Sequence, residues 1–235
     1  MSGIVLLEIA LPHKTSMKTY LQQIGYFLLL LLAIQIGRAL ITTGMWRFLQ
    51  PAPDSPLWAF MDMVAFGLIG IGLLLYYRPS AAQLALDWRA MPRWELVIYV
   101  VVGTLTVALA LSTYFLQPDL FAANINAAIV IPIFEELLFR GWGWTQLEKI
   151  NTRRASGFIH WLVISFLFGL WHFGYVDIYL LKVVPANPDI NWWMFFGMKF
   201  LTTFIIGLIV GLPRWRTGRI YGSLILHSLI NIFGR

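Results

Sequence analysis

The stretch "AAIVIPIFEELLFRGWGW", Ala127–Trp144, places Glu135, Glu136 and Arg140 within six residues of an otherwise apolar run. On insertion scales a charge at the centre of a membrane helix costs about 2.5–3.5 kcal/mol, so charges kept there mark a candidate site. On a helix, Glu136 and Arg140 are four apart and share a face, acid before base, which is the favourable order. Glu135 points about 100° away from Glu136, so the two carboxylates can serve different partners. One reading makes all three a polar staple between helices. The other pairs Glu136 with Arg140 and leaves Glu135 to face a cavity.

Two later apolar runs also carry polar side chains. "FLFGLWHF" sets Phe168 and His172 four apart, and "LILHSLIN" does the same with His227 and Asn231. A lone histidine in a helix bundle is more often a packing residue than a catalyst. Three runs presenting such groups fit packing alone less well. A carboxylate and an imidazole around one water form a general-base pair for hydrolysis. A second histidine and an asparagine on one helical face can aim donors at a developing oxyanion. Glu135, His172 and His227 could equally hold Zn²⁺, since two His and one carboxylate leave a fourth position for water. No H-E-x-x-H is present. The residues thus say water activation inside a membrane, with metal and metal-free versions both open.

The elements that must position these groups are membrane helices. The 235 residues are 59% apolar and 12% charged, with mean hydropathy +0.74. Soluble domains run nearer 45–50% apolar and about 25% charged. The fold class is therefore all-α, a polytopic transmembrane helix bundle. Seven stretches can cross about 30 Å of hydrocarbon: Tyr20–Trp46, Leu57–Tyr77, Trp94–Phe115, Phe121–Trp144, Trp161–Leu181, Trp193–Leu212 and the shorter Ile220–Phe233. Trp46, Trp58, Trp94, Trp144, Trp193 and Trp215 fall at their ends, as an interfacial belt would place them. With the fifth span starting near Trp161, Glu135, His172 and His227 lie at matching depths, roughly 13–16 Å at about 1.5 Å per residue. A start at Ser156 would move His172 about 8 Å outward. The runs Ile4–Leu11 and Ile178–Val184 are too short to span and suit the interface.

Eleven Lys and Arg residues fall on one side: Lys14, Lys18, Arg78, Arg89, Arg93, Lys149, Arg153, Arg154, Arg214, Arg216 and Arg219. Three (Arg47, Lys182 and Arg235) fall on the other. By the positive-inside rule the N-terminus is cytoplasmic and the C-terminus external, in a multi-pass protein of the cell membrane. The net charge of +6 then needs no nucleic-acid partner. Cysteine is absent, which excludes disulfides, thiolate nucleophiles and Cys-based metal sites. Glu8, Pro12 and His13 interrupt the first apolar run, which argues against a signal peptide. The composition shift at Arg78–Glu95 separates an N-terminal hairpin from the remainder.

"EELLFRG", "FGLWH" and "HSLIN" together resemble the E-E-x-x-x-R, F-x-x-x-H and H-x-x-x-N set of the CAAX protease and bacteriocin-processing family, often called Abi. Its members include the type II CAAX prenyl proteases. Each motif is weak alone, but the three in this order and spacing are specific. The resemblance covers Glu135 to Asn231. It implies an intramembrane endopeptidase with a catalytic core at residues 121–235, behind spans of unassigned role at 1–120. It further implies that Glu135 activates water and His172 holds that water. His227 and Asn231 would stabilise the oxyanion, Glu136 and Arg140 would shape the site, and Phe168 would pack the helix carrying His172. The resemblance favours a metal-free glutamate mechanism with no cofactor, zinc being the alternative, and an eighth span beyond the seven counted.

Two other classes compete. Some relatives act in bacteriocin immunity or regulation, where a catalytically silent membrane partner suffices, but an intact Glu, His, His, Asn set argues against silence. A solute or proton pathway would use Asp62, Arg38 and Lys199 as polar steps, although Asp62 with Arg38 can be a staple and Lys199 can snorkel. The expected partners are the bilayer and a peptide or protein substrate within it. The substrate's identity and the oligomeric state are not encoded legibly.

Overall fold

The computed structural model describes residues 17–89, 91–150 and 156–234, without the Ser156 side chain. The expectations for Ile4–Leu11, Lys14, Arg153, Arg154 and Arg235 lie outside the described residues. Within them the chain is helical, with no strand. Six helices are long and apolar enough to cross a membrane: α1 (Met17–Leu49), α2 (Leu57–Tyr77), α3 (Arg93–Leu116), α4 (Pro118–Ile150), α5 (Gly157–Ala186) and α6 (Trp192–Thr217). The seventh, α7 (Tyr221–Phe233), has 13 residues. At about 1.5 Å per residue it is roughly 20 Å long, short of a full crossing. The multi-pass helical bundle read from composition is the fold found.

Polarity is arranged inside-out relative to a soluble bundle. On α1 the buried face runs Phe27, Leu31, Ile34, Gln35, Arg38 and Thr42, while Leu29, Leu32, Ile36 and Leu40 face outward. Hydrocarbon solvates the outward leucines as well as a protein core would, so the helices gain little by burying them. Polar groups are the ones driven inward. The α3 face of Val97, Val101 and Leu105 is exposed in the same way.

Glycine lets the most extensively packed helix pair come together. Cβ atoms built at Gly207 and Gly211 of α6 would lie 3.2 Å from Phe168 and 2.9 Å from Trp161 of α5. This small-xxx-small spacing lets the α5 and α6 backbones approach, as in membrane helix pairs generally. One apolar core joins the N-terminal helices to the rest. Tyr20, Phe27, Leu31, Ile34 and Phe66 pack with Phe134, Leu138, Phe139, Leu167, Phe168 and Trp171.

Three local departures from regular helix matter for the site. In α4, two π-helical stretches, Asn126–Val130 and Leu137–Gly143, flank the short α-helical piece Ile131–Glu136 that carries both glutamates. In α5, helix is already formed at Gly157 rather than starting near Trp161, is regular to Trp171, tightens to a 3₁₀ turn at His172–Gly174 and resumes at Val176. The run Ile178–Val184, too short to span by itself, continues α5. Finally, the loop between α2 and α3 folds back under the bundle. Leu84 and Ala85 are buried, and Tyr221 Oη donates to Leu86 O at 2.7 Å. A Cβ at Gly141 would meet Leu84 O at 2.9 Å, so the loop rests against the second π stretch.

Candidate active site

Glu136 is the hub. Its Oε1 accepts from Arg140 Nη1 at 3.0 Å, the i, i+4 pair expected from the sequence. The same oxygen meets His227 Nδ1 at 2.9 Å. Arg140 extends its other terminal nitrogen to Gly207 O of α6 at 3.0 Å and lies 4.4 Å over the Phe168 ring. Neither Glu136 nor Arg140 has solvent exposure. Because Gly207 lacks a side chain, the guanidinium can reach the α6 backbone there, tying α4, α5, α6 and α7 at one point. A buried charge needs such a set of partners to be tolerated.

Glu135 faces elsewhere, as its 100° offset requires. Its Oε1 accepts from the Trp171 indole Nε1 at 2.7 Å, and Tyr175 Oη approaches the same oxygen at 3.5 Å. Its Oε2 lies 3.8 Å from His227 Nε2. His227 therefore stands between the two glutamates, with Nδ1 on Glu136 and Nε2 toward Glu135. Motif spacing alone does not show that one imidazole stands between both carboxylates.

His172 enters on the break in α5. Its Nδ1 lies 2.8 Å from Phe168 O. A carbonyl only accepts, so Nδ1 carries the proton, and Nε2 of the neutral ring is left as an acceptor. The His172 ring stacks on Tyr175 at 5.6 Å and meets Phe168 edge-on at 4.9 Å. Phe168 in turn touches His227 at 5.8 Å. The shared contacts on Phe168 and Tyr175 group His172 with Glu135 and His227 despite the earlier start of α5.

Asn231 has a visible structural partner. Its Nδ2 donates to Ala127 O at 2.7 Å. In the first π stretch Ile131 N–H reaches Asn126 O, five residues back. The same register assigns Ala127 O to residue 132, which is proline and has no N–H. Asn231 supplies the missing donor from α7. An amide nitrogen has two N–H groups, so one remains for other use.

Sequence reasoning missed Trp171, Tyr175 and Gly207, each of which touches the glutamates or Arg140. It also set Arg38 against Asp62, whereas Arg38 binds both carboxylate oxygens of Asp177. Lys199 lies 5.1 Å over the Tyr175 ring. The fourth-span site is bordered by an apolar cavity of about 980 Å³ between α1 and α5, which reaches Gln35 and Trp171. His160 is buried apart from the site, stacked on Tyr20 at 5.8 Å.

A buried carboxylate–imidazole cluster inside a bundle of membrane helices has the groups that could activate a water. Residues 116–233, half of the chain, match the family model described as Type II CAAX prenyl endopeptidase Rce1-like. The chain belongs to that family of CAAX-type endopeptidases and is a multi-pass membrane protein. No curated protein and no solved structure matches it.

Proposed function

We propose that this protein hydrolyses a peptide bond of a membrane-associated or lipidated protein or peptide, using Glu135 as the base that activates water. The observation that carries the reading is the unequal setting of the two Glu135 oxygens. Oε1 is occupied by the Trp171 N–H, and Oε2 faces imidazole without a direct hydrogen bond. His172 Nε2, an acceptor by its tautomer, holds one hydrogen of the water. The water gives its other proton to Glu135 Oε2 as its oxygen attacks the scissile carbonyl carbon. The carbonyl π electrons move to oxygen. That oxyanion accepts from the second N–H of Asn231 and from His227 Nε2–H when the ring is protonated. Collapse expels the amine, which takes the proton from Glu135.

Glu136 and Arg140 act behind His227, and Phe168 fills the space between the two imidazoles. The mechanism as proposed uses no metal. A zinc version would recruit Glu135, His172 and His227. Both imidazole Nδ1 atoms are held by protein acceptors, as in metal-bound histidines generally, so the case against zinc rests on how the side chains are gathered. Among the described residues no three His, Asp or Glu side chains gather as a ligand set. The proposal also places the N-terminus on the cytoplasmic side, from the charge bias of the loops.

The reading is tested by comparing peptides released from membranes carrying the wild type with those from Glu135→Ala. Peptides found only with the wild type are expected. Identical release from both would refute Glu135 as the base.

A further inference from the structure

We infer that Trp171 is a positioning residue for Glu135, and that α1, outside the family-matched region, holds Trp171 in place. This rests on Glu135 being the base proposed above. A carboxylate acts as a base through one oxygen, and its two oxygens are equivalent until the surroundings distinguish them. Here the indole N–H fixes Oε1 at 2.7 Å, both groups being buried, and leaves Oε2 as the oxygen turned to His227. A hydrogen bond to a charged group in a low-dielectric interior is among the stronger ones, so it sets the carboxylate plane firmly. The ring itself is clamped, edge-on to Phe139 at 5.9 Å and stacked with Phe134 at 6.3 Å.

The anchor on the backbone side comes from α1. Regular helix ends at Trp171, so carbonyls of that last turn lose their intrahelical partners. Gln35 Nε2 donates to Trp171 O at 2.9 Å, and Arg38 Nη2 donates to Gly174 O at 3.1 Å. Arg38 Nε in turn fixes Gln35 Oε1 at 2.8 Å, and its guanidinium pairs with Asp177 beyond the break. A Cβ at Gly174 would lie 2.4 Å from Gln35, so glycine is what lets α1 come this close. Gln35 and Arg38 thereby span both sides of the break that presents Trp171, His172 and Tyr175.

The test uses the full chain in liposomes and a reporter peptide that the wild type cleaves, with Glu135→Gln assayed alongside. Trp171 is replaced by benzothienylalanine, which keeps the ring shape and puts sulfur where the N–H was. A fall in kcat of about ten- to a hundredfold is expected, the range for a hydrogen bond to a charged group, with KM changed by less than about twofold. A ring-fluorinated tryptophan, which keeps the N–H, should retain wild-type kcat. Gln35→Met should lower kcat too, and its loss should combine less than multiplicatively with that of the isostere. In ¹⁵N-labelled protein the Trp171 indole signal should move in Glu135→Ala. Wild-type kcat with the donor-free isostere, or an indole signal blind to Glu135→Ala, overturns the role of Trp171. Fully multiplicative losses overturn the anchoring by α1. Equal cleavage by wild type and Glu135→Gln overturns the base assignment itself, while the indole signal still decides the hydrogen bond.

Discussion

The two adjacent glutamates differ in what surrounds them, and their substitutions should fail in different ways. Glu136 sits in an ion pair with no solvent exposure. Removing one partner of such a pair leaves an uncompensated buried charge, typically at a cost of about 3–5 kcal/mol. Glu136→Gln and Arg140→Met should therefore lower abundance and unfolding midpoint in detergent as well as turnover. Replacing Glu135 by Gln should leave the midpoint close to wild type while removing turnover, because Trp171 can still donate to an amide oxygen. His172→Ala should resemble Glu135→Gln in kcat if both hold one water. An unfolding midpoint that drops equally in Glu135→Gln and Glu136→Gln would contradict this division. The Glu136–Arg140 pair was legible because its partners lie one helical turn apart. Trp171 was not, because eleven tryptophans occur in the chain, and its carboxylate partner is 36 residues away.

At the scale of elements, irregular helix presents the chemistry. Pro132 lies between the first π stretch and the glutamates, and Asn231 compensates the carbonyl it orphans. Asn231→Ala should thus destabilise the fold by about 1–3 kcal/mol, the cost of a buried acceptor left unpaired. It should also lower kcat through the lost oxyanion donor, by about 10²–10³-fold. Adding Pro132→Ala restores a backbone N–H, and should recover stability without recovering kcat. Chemical unfolding and kinetics on the single and double variants separate the two effects, and recovery of both together would make Asn231 purely structural. Gly211→Leu should separate α5 from α6, since even a Cβ meets Trp161 at 2.9 Å, and overpacking of this kind costs about 1–3 kcal/mol. Which runs were helices was plain from hydropathy. The π turns and the break after Trp171 were not, because they depend on partners from α1 and α7 that no local pattern reveals.

On the scale of the whole molecule, the bundle class followed from composition alone, and the orientation from charge bias is open to direct test. The chain has no native cysteine, so single cysteines introduced at Ala81 and Asp54 report their sides cleanly. Ala81 should react only with permeant reagents and Asp54 with impermeant ones, and the reverse would invert the topology. The first helices, which matched no motif, turn out to share one core with the motif-bearing ones and to contact the break in α5. Distance in sequence hid this, since Gln35 and Trp171 are 136 residues apart. The central claim, water activated by a glutamate without a metal, is tested most directly by turnover of purified protein on a cleavable reporter before and after rigorous chelation, with metal content measured alongside. The account predicts unchanged kcat after chelation, no stoichiometric metal, and no turnover in Glu135→Gln. Activity lost on chelation and restored by one equivalent of zinc would contradict it, and would make Glu135 a ligand.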